Sequence, residues 1–194
     1  MARPMRAIAG LAAAGALAAT TLSGCQLIEA NTPEHTPTAI EACATGHTWQ
    51  LDTALLAPVA TTVMRARGID VDVTVEGTQR LEWDIDFTMR FDTDLTFIGN
   101  VPSQPGFQEQ FTVSGTSAGM GYFSGDFVVP RNWTERDLDI ATTATQDGAP
   151  VDVTFPWTPL WVDDTAGLQT TCTAEQLTLT ARQGHLAWTF NRVS

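Results

Sequence analysis

Met89-Arg90-Phe91-Asp92-Thr93-Asp94-Leu95-Thr96-Phe97 sets Met89, Phe91, Leu95 and Phe97 against Arg90, Asp92, Asp94 and Thr96. A period of two sends successive side chains to opposite faces of a strand, so one face is dry and the other wet. Outward from this stretch, Val71, Val73 and Val75 alternate with Asp70, Asp72 and Thr74. The series continues through Phe111 and Val113, Phe123, Phe127 and Val129, Leu138 and Ile140, then Val151, Val153 and Phe155, Leu177 and Leu179, and Trp188 and Phe190. Turn signals punctuate it at Gly77, Gly99-Asn100, Pro105-Gly106, Gly119 to Gly121, Asp147-Gly148, Gly167 and Gly184. Short strands at this spacing predict a mainly β domain, an antiparallel barrel or sandwich of about eight strands.

One helix interrupts the pattern near the start of that domain. Asp52 is a good N-cap, Leu55, Leu56, Val59 and Val63 recur at helical spacing, and Gly68 suits the left-handed position after a helix end, predicting a helix over 53–67. Pro58 cannot donate to Ala54, so the helix either kinks there or restarts with Pro58 at its first position.

The other end of the chain carries an address. Arg3 and Arg6 precede an Ala/Leu-rich stretch from Ala7 to Ala19, too short and small-sided for an ordinary membrane span, as in a secretory signal. Leu22-Ser23-Gly24-Cys25 then resembles the lipobox of bacterial lipoproteins. That resemblance implies cleavage before Cys25, a diacylglyceryl group on its thiol, and a protein anchored by lipid to the extracytoplasmic face of the cell membrane. Residues 1–24 are expected to be a signal peptide and 25–42, with His35 and two prolines, a flexible tether. Residues 43–194 are expected to form a single β-rich domain.

Cysteine parity and charge bound the rest. With Cys25 lipidated, Cys43 and Cys172 remain as an even pair in an oxidising compartment and are expected to form a disulfide; two free thiols or metal ligands are the alternatives. The chain has ten arginines, no lysine and 22 acidic residues, for a net charge of −12. Such a balance argues against nucleic-acid partners and against lying flat on an anionic lipid surface.

Cys43 ahead of Thr45-Gly46-His47-Thr48-Trp49, a following helix, hydrophobic strands, and a late Cys172 before Leu177-Thr178-Leu179 and Trp188 together resemble the small lipocalin-like lipoproteins of actinobacteria. The resemblance spans most of residues 43–194 and implies a barrel architecture. It departs from true lipocalins, whose Gly-x-Trp has one residue fewer than Gly46-His47-Thr48-Trp49 and whose helix follows the last strand.

Motifs for catalysis do not hold up. Gly115-Thr116-Ser117-Ala118-Gly119 matches G-x-S-x-G, but a nucleophile elbow needs a strand before it and a helix after it. Strand-like residues flank it on both sides, so a hairpin turn is expected and Ser117 is not taken as a nucleophile, although His185 lies downstream. Asp84, Asp86 and Thr88 begin like an EF-hand loop, which then fails where it needs Gly and Glu, at Met89 and Leu95. Asp92/Asp94 and Glu135/Asp137/Asp139 suit solvated strand faces, His47 a hydrogen-bonded surface position, and Asn132-Trp133-Thr134 a chance sequon match. Trp157-Thr158-Pro159-Leu160-Trp161 is a loop suited to a lid, a partner contact or a barrel cap.

The chain therefore reads as a non-enzymatic envelope lipoprotein with no cofactor, no metal site and no catalytic residue. Its barrel is expected to bind an apolar small molecule or lipid against Trp49, Phe91, Phe97, Phe111 and Trp188. The alternative is a structural or interaction lipoprotein with a filled core and an envelope-protein partner on its rim. A cavity above about 300 Å³ favours the binder.

Overall fold

The computed structural model describes residues 36–153, 167–181 and 186–193, apart from the side chains of 134–136. Cys25, His35, Phe155, Trp157, Trp161, Gly184 and His185 lie outside the described residues. Helix α1 (Ala39–Ala44) opens the described chain, with Thr38 as its N-cap. The Thr38 hydroxyl accepts from the Glu41 amide at 3.3 Å while the Glu41 carboxylate accepts from the Thr38 amide at 2.5 Å. This reciprocal cap satisfies two helix-end donors and starts ordered structure ahead of Cys43, inside the segment expected to be tether.

After α1 come β1 (His47–Leu51), α2 (Thr53–Ala66), β2 (Asp72–Trp83), β3 (Thr88–Asn100), β4 (Phe107–Ser124) and β5 (Phe127–Gln146). They are followed by β6 (Ala149–Val151), β7 (Leu168–Cys172), β8 (Gln176–Ala181) and β9 (Ala187–Arg192). The strands form one antiparallel sheet in the order β4-β3-β2-β1-β9-β8-β7-β5-β6, and a further β4–β5 pairing closes it. With the three-residue β6 set aside as a branch on β5, the ring of eight follows chain order, an up-and-down barrel. Closure leaves each ring strand a partner on both sides for part of its length, which shortens the open edge that invites aggregation. The β5–β7 seam is short, consisting of Phe127↔Gln169 and Val128↔Leu168.

Strands β2 to β5 run longer than the glycine pattern implied. Gly77 lies inside β2, Gly99 inside β3, and Gly119 and Gly121 inside β4; the turns fall at Pro105-Gly106 and Asp147-Gly148. Gly115 has φ +117°, and a Cβ there would collide with the Asp137 carbonyl of the paired strand. A Cβ on Gly119 would enter the Trp133 indole. Beside them the β4–β5 register slips between Thr116 and Ala118 and again between Ala118 and Met120. Such glycines and bulges bend and coil a strand without ending it, which is what curvature in a small barrel requires. β5 corrects a second expectation: Val128 is fully buried while Phe127 and Val129 are only half-buried, so the inward parity at its start is opposite to the one read from the sequence.

Helix α2 begins at the expected cap, where Asp52 accepts from the Leu55 amide at 3.1 Å, and Gly68 at φ +83° follows its end. Pro58 sits inside one continuous helix. The helix buries Leu56, Ala60, Val63 and Met64, and Thr61 ties it to β2 by accepting from the Val73 amide at 2.9 Å. Cys43 and Cys172 are bonded, with Cα atoms 6.0 Å apart, so α1 is fastened to the end of β7.

Candidate functional site

Register alone dictates which side chains meet inside the barrel. Leu81, Phe91 and Ser117 align across β2, β3 and β4; Gln79, Thr93 and Gly115 form the next row, then Gly77, Leu95 and Val113, then Val75, Phe97 and Phe111. From these rows Gln79, Phe91, Thr93, Leu95, Phe97, Phe111, Val113 and Ser117, with Leu179 on β8 and Trp188 and Phe190 on β9, border a cavity of about 50 Å³. The space is several times the roughly 10–15 Å³ that one water molecule needs, and well short of the roughly 300 Å³ at which drug-sized pockets begin.

Four of the five aromatic residues expected to meet a ligand, Phe91, Phe97, Phe111 and Trp188, line this cavity. Trp49 does not: it is fully buried, and its indole N–H donates to the Ala44 carbonyl at 3.0 Å, which fixes β1 to the end of α1. Trp133 takes a place on the lining that the sequence had not suggested, packed 5.6 Å from the Phe91 ring. The bulges beside it put the residue there, and Asn132 at φ +53° marks one of them. The only sequence signal was the glycine opposite.

Ser117 is not in a hairpin. It lies in the middle of β4, 3% exposed, with its side chain on the cavity wall, so G-x-S-x-G is here a strand whose two glycines accommodate a backbone carbonyl and an indole. Thr93 and Gln79 join it on that wall, and the Gln79 amide donates to the Thr93 hydroxyl at 3.0 Å. The cavity thus has one polar quarter within an otherwise apolar lining. Among the described residues no charged side chain borders it. Glu109, fully buried, points inward one row beyond Phe111 and is not part of the lining.

The remaining candidates sit outside the barrel. Asp84-Ile85-Asp86-Phe87 is the β2–β3 turn: Phe87, at φ +69°, donates its amide to the Asp84 carbonyl, and the Asp86 carboxylate accepts from the Thr88 amide at 2.9 Å. That hydrogen bond holds the Asp86 carboxyl below its usual pKa. Asp92 and Asp94 lie on the outer face across β4 from Asp137 and Asp139, with Thr116 and Ser114 between them, and Arg90 pairs with Asp92 at 3.3 Å. Among the described residues no group of three His, Cys, Asp or Glu is placed to hold a metal. His47 is on the rim, with Arg192 Nη2 2.6 Å from its ring nitrogens and the Trp49 ring at 6.0 Å. Desolvation first, and then the guanidinium, lower its pKa below 6.5.

Among the described residues no helix is long and apolar enough to cross a membrane. No protein-family model matches the chain, and no curated protein matches it.

Proposed function

We propose that the chain is a lipid-anchored protein of the cell envelope, held at the extracytoplasmic face through Cys25, whose barrel takes up one slender apolar molecule and catalyses no reaction. The observation that carries the reading is the cavity itself: nine aromatic or aliphatic side chains, Phe91, Leu95, Phe97, Phe111, Val113, Trp133, Leu179, Trp188 and Phe190, leave space where tighter packing would have filled the barrel. Interiors are packed to crystal-like density, and an apolar void forfeits dispersion contacts unless something occupies it. A volume of about 50 Å³ limits the guest to a short alkyl chain or a small ring.

The test is native mass spectrometry of the protein taken from its own host, beside Val113→Phe, which fills the cavity. The expected result is a small apolar adduct on the wild type and none on the variant. A wild type that carries no adduct, and whose melting temperature no short-chain compound raises, rejects the binder.

One observation favours the rival, an interaction protein with a filled barrel: the cavity is smaller than ordinary ligand pockets, while Val151 and Val153, on and just after β6, are each more than 40% exposed. Under that reading Val153→Asp, which lies off the cavity wall, removes a partner without affecting any small-molecule adduct.

A further inference from the structure

The polar quarter of the cavity is costly to keep. Placing an amide and two hydroxyls among phenylalanines and tryptophans loses their hydration, and only hydrogen bonds recover it. Gln79, Thr93 and Ser117 are at most 9% exposed and all three line the cavity. Among the described residues, a glutamine amide and two hydroxyls offer more donors and acceptors than the bond between Gln79 and Thr93 consumes. We propose that these three side chains form a subsite for an uncharged hydrogen-bonding group, a hydroxyl, ester or amide, at one end of an apolar chain. The inference rests on the reading of the barrel as a binder and names the chemical class of its guest.

Register supplies the geometry. Gln79 and Thr93 are paired across β2 and β3, and Ser117 stands diagonally from Thr93 on β4. The residue directly opposite Thr93 is Gly115, which has no side chain to cover the hydroxyls. Four residues farther along β3 lies Phe97, and between them Leu95, so the wall turns wholly apolar within about 13 Å of strand. A guest with a polar head at Thr93 and a tail toward Phe97 and Phe111 meets matching surface at both ends.

Among the described residues the lining carries no charged side chain to pair with an ion. The nearest arginines on the same strands, Arg80 and Arg90, are on the outer face and pair with Glu82 and Asp92 at 3.2 and 3.3 Å. A carboxylate or ammonium at the subsite would lose its hydration without a counter-ion, a far larger penalty than burying a hydroxyl.

The experiment titrates the full chain carrying Cys25→Ser with n-hexanol, hexane, hexanoate and hexylammonium at pH 7. Tryptophan emission, to which the cavity-lining Trp133 and Trp188 contribute, and the melting temperature are followed. Hexanol is expected to bind at least tenfold more tightly than either ion. Ser117→Ala and Thr93→Val are each expected to weaken hexanol by about three- to tenfold, the value of one hydrogen bond, and to leave hexane unweakened. If none of the four compounds binds, the binder reading itself fails. If hexane binds while both variants keep full hexanol affinity, or hexanoate or hexylammonium equals hexanol, the binder stands and the polar subsite is overturned.

Discussion

Gly115 shows how much one missing methyl group can decide. Its φ of +117° is a conformation that side chains with a Cβ rarely adopt, and the Asp137 carbonyl occupies the place a Cβ would take. Gly115→Ala combines backbone strain with a steric clash and is expected to destabilise the protein by about 2–4 kcal/mol in urea unfolding. A loss under about 1 kcal/mol would show that the strand crossing there is looser than described. His47 gives a residue-level test through pH. Its folded pKa lies below 6.5, so the native contacts favour the neutral ring; that stability is whole above pH 6.5 and is lost as pH falls toward the folded value. Wild type should therefore lose stability relative to His47→Gln between pH 7 and pH 5. Parallel declines of the two urea midpoints would remove His47 from the account.

Among the elements, α2 keeps a proline in its interior because the helix is held from outside. Leu56, Ala60, Val63 and Met64 are buried, and Thr61 is bonded to Val73, while Pro58 itself is exposed. Tertiary packing thus offsets the lost Ala54–Pro58 hydrogen bond and the ring's clash with the preceding turn. Pro58→Ala should restore that bond without disturbing packing, at the expense of a more flexible unfolded chain. The balance is an expected gain of about 1–2 kcal/mol, seen as a rise in melting temperature. A fall would mean that the helix has adapted to the proline. The long strands β4 and β5 make the complementary point, because their glycines and bulges relieve strain within a strand that local pattern had divided into several.

At the scale of the whole molecule, the Cys43–Cys172 bond spans 129 residues and so encloses nearly all of the barrel. Closing a loop of that size restricts the unfolded chain, worth about 4–5 kcal/mol by the entropy argument. The double variant Cys43→Ala/Cys172→Ala should lose stability on that order in guanidinium unfolding, and reductant should lower the wild-type midpoint but not the variant's. A variant as stable as the oxidised wild type would place the fastening in α1–β7 packing instead. The anchor belongs to this scale too: Cys25→Ser should release the protein or strand it with its leader uncleaved, and should abolish its labelling by radioactive palmitate; labelling unchanged by the substitution would end the lipoprotein reading.

Alternation from Met89 to Phe97, the Asp52 cap, Gly68 and the parity of the cysteines are local signals, and fold class, α2 and the disulfide followed from them without coordinates. The same locality explains the failures. Thr38 and Glu41 formed a reciprocal cap in plain sight, yet Pro33, Pro37 and sparse apolar residues made the stretch read as tether. A glycine that breaks a strand and one that lets a neighbouring strand approach are the same letter; only the position of the Asp137 carbonyl and the Trp133 ring tells them apart. The cavity is the extreme case. Phe91, Phe97, Phe111 and Trp188 announced themselves as apolar, but Trp133 and the Gln79–Thr93–Ser117 wall exist only because a closed ring with two register slips brings β2, β3, β4, β5 and β9 to one interior.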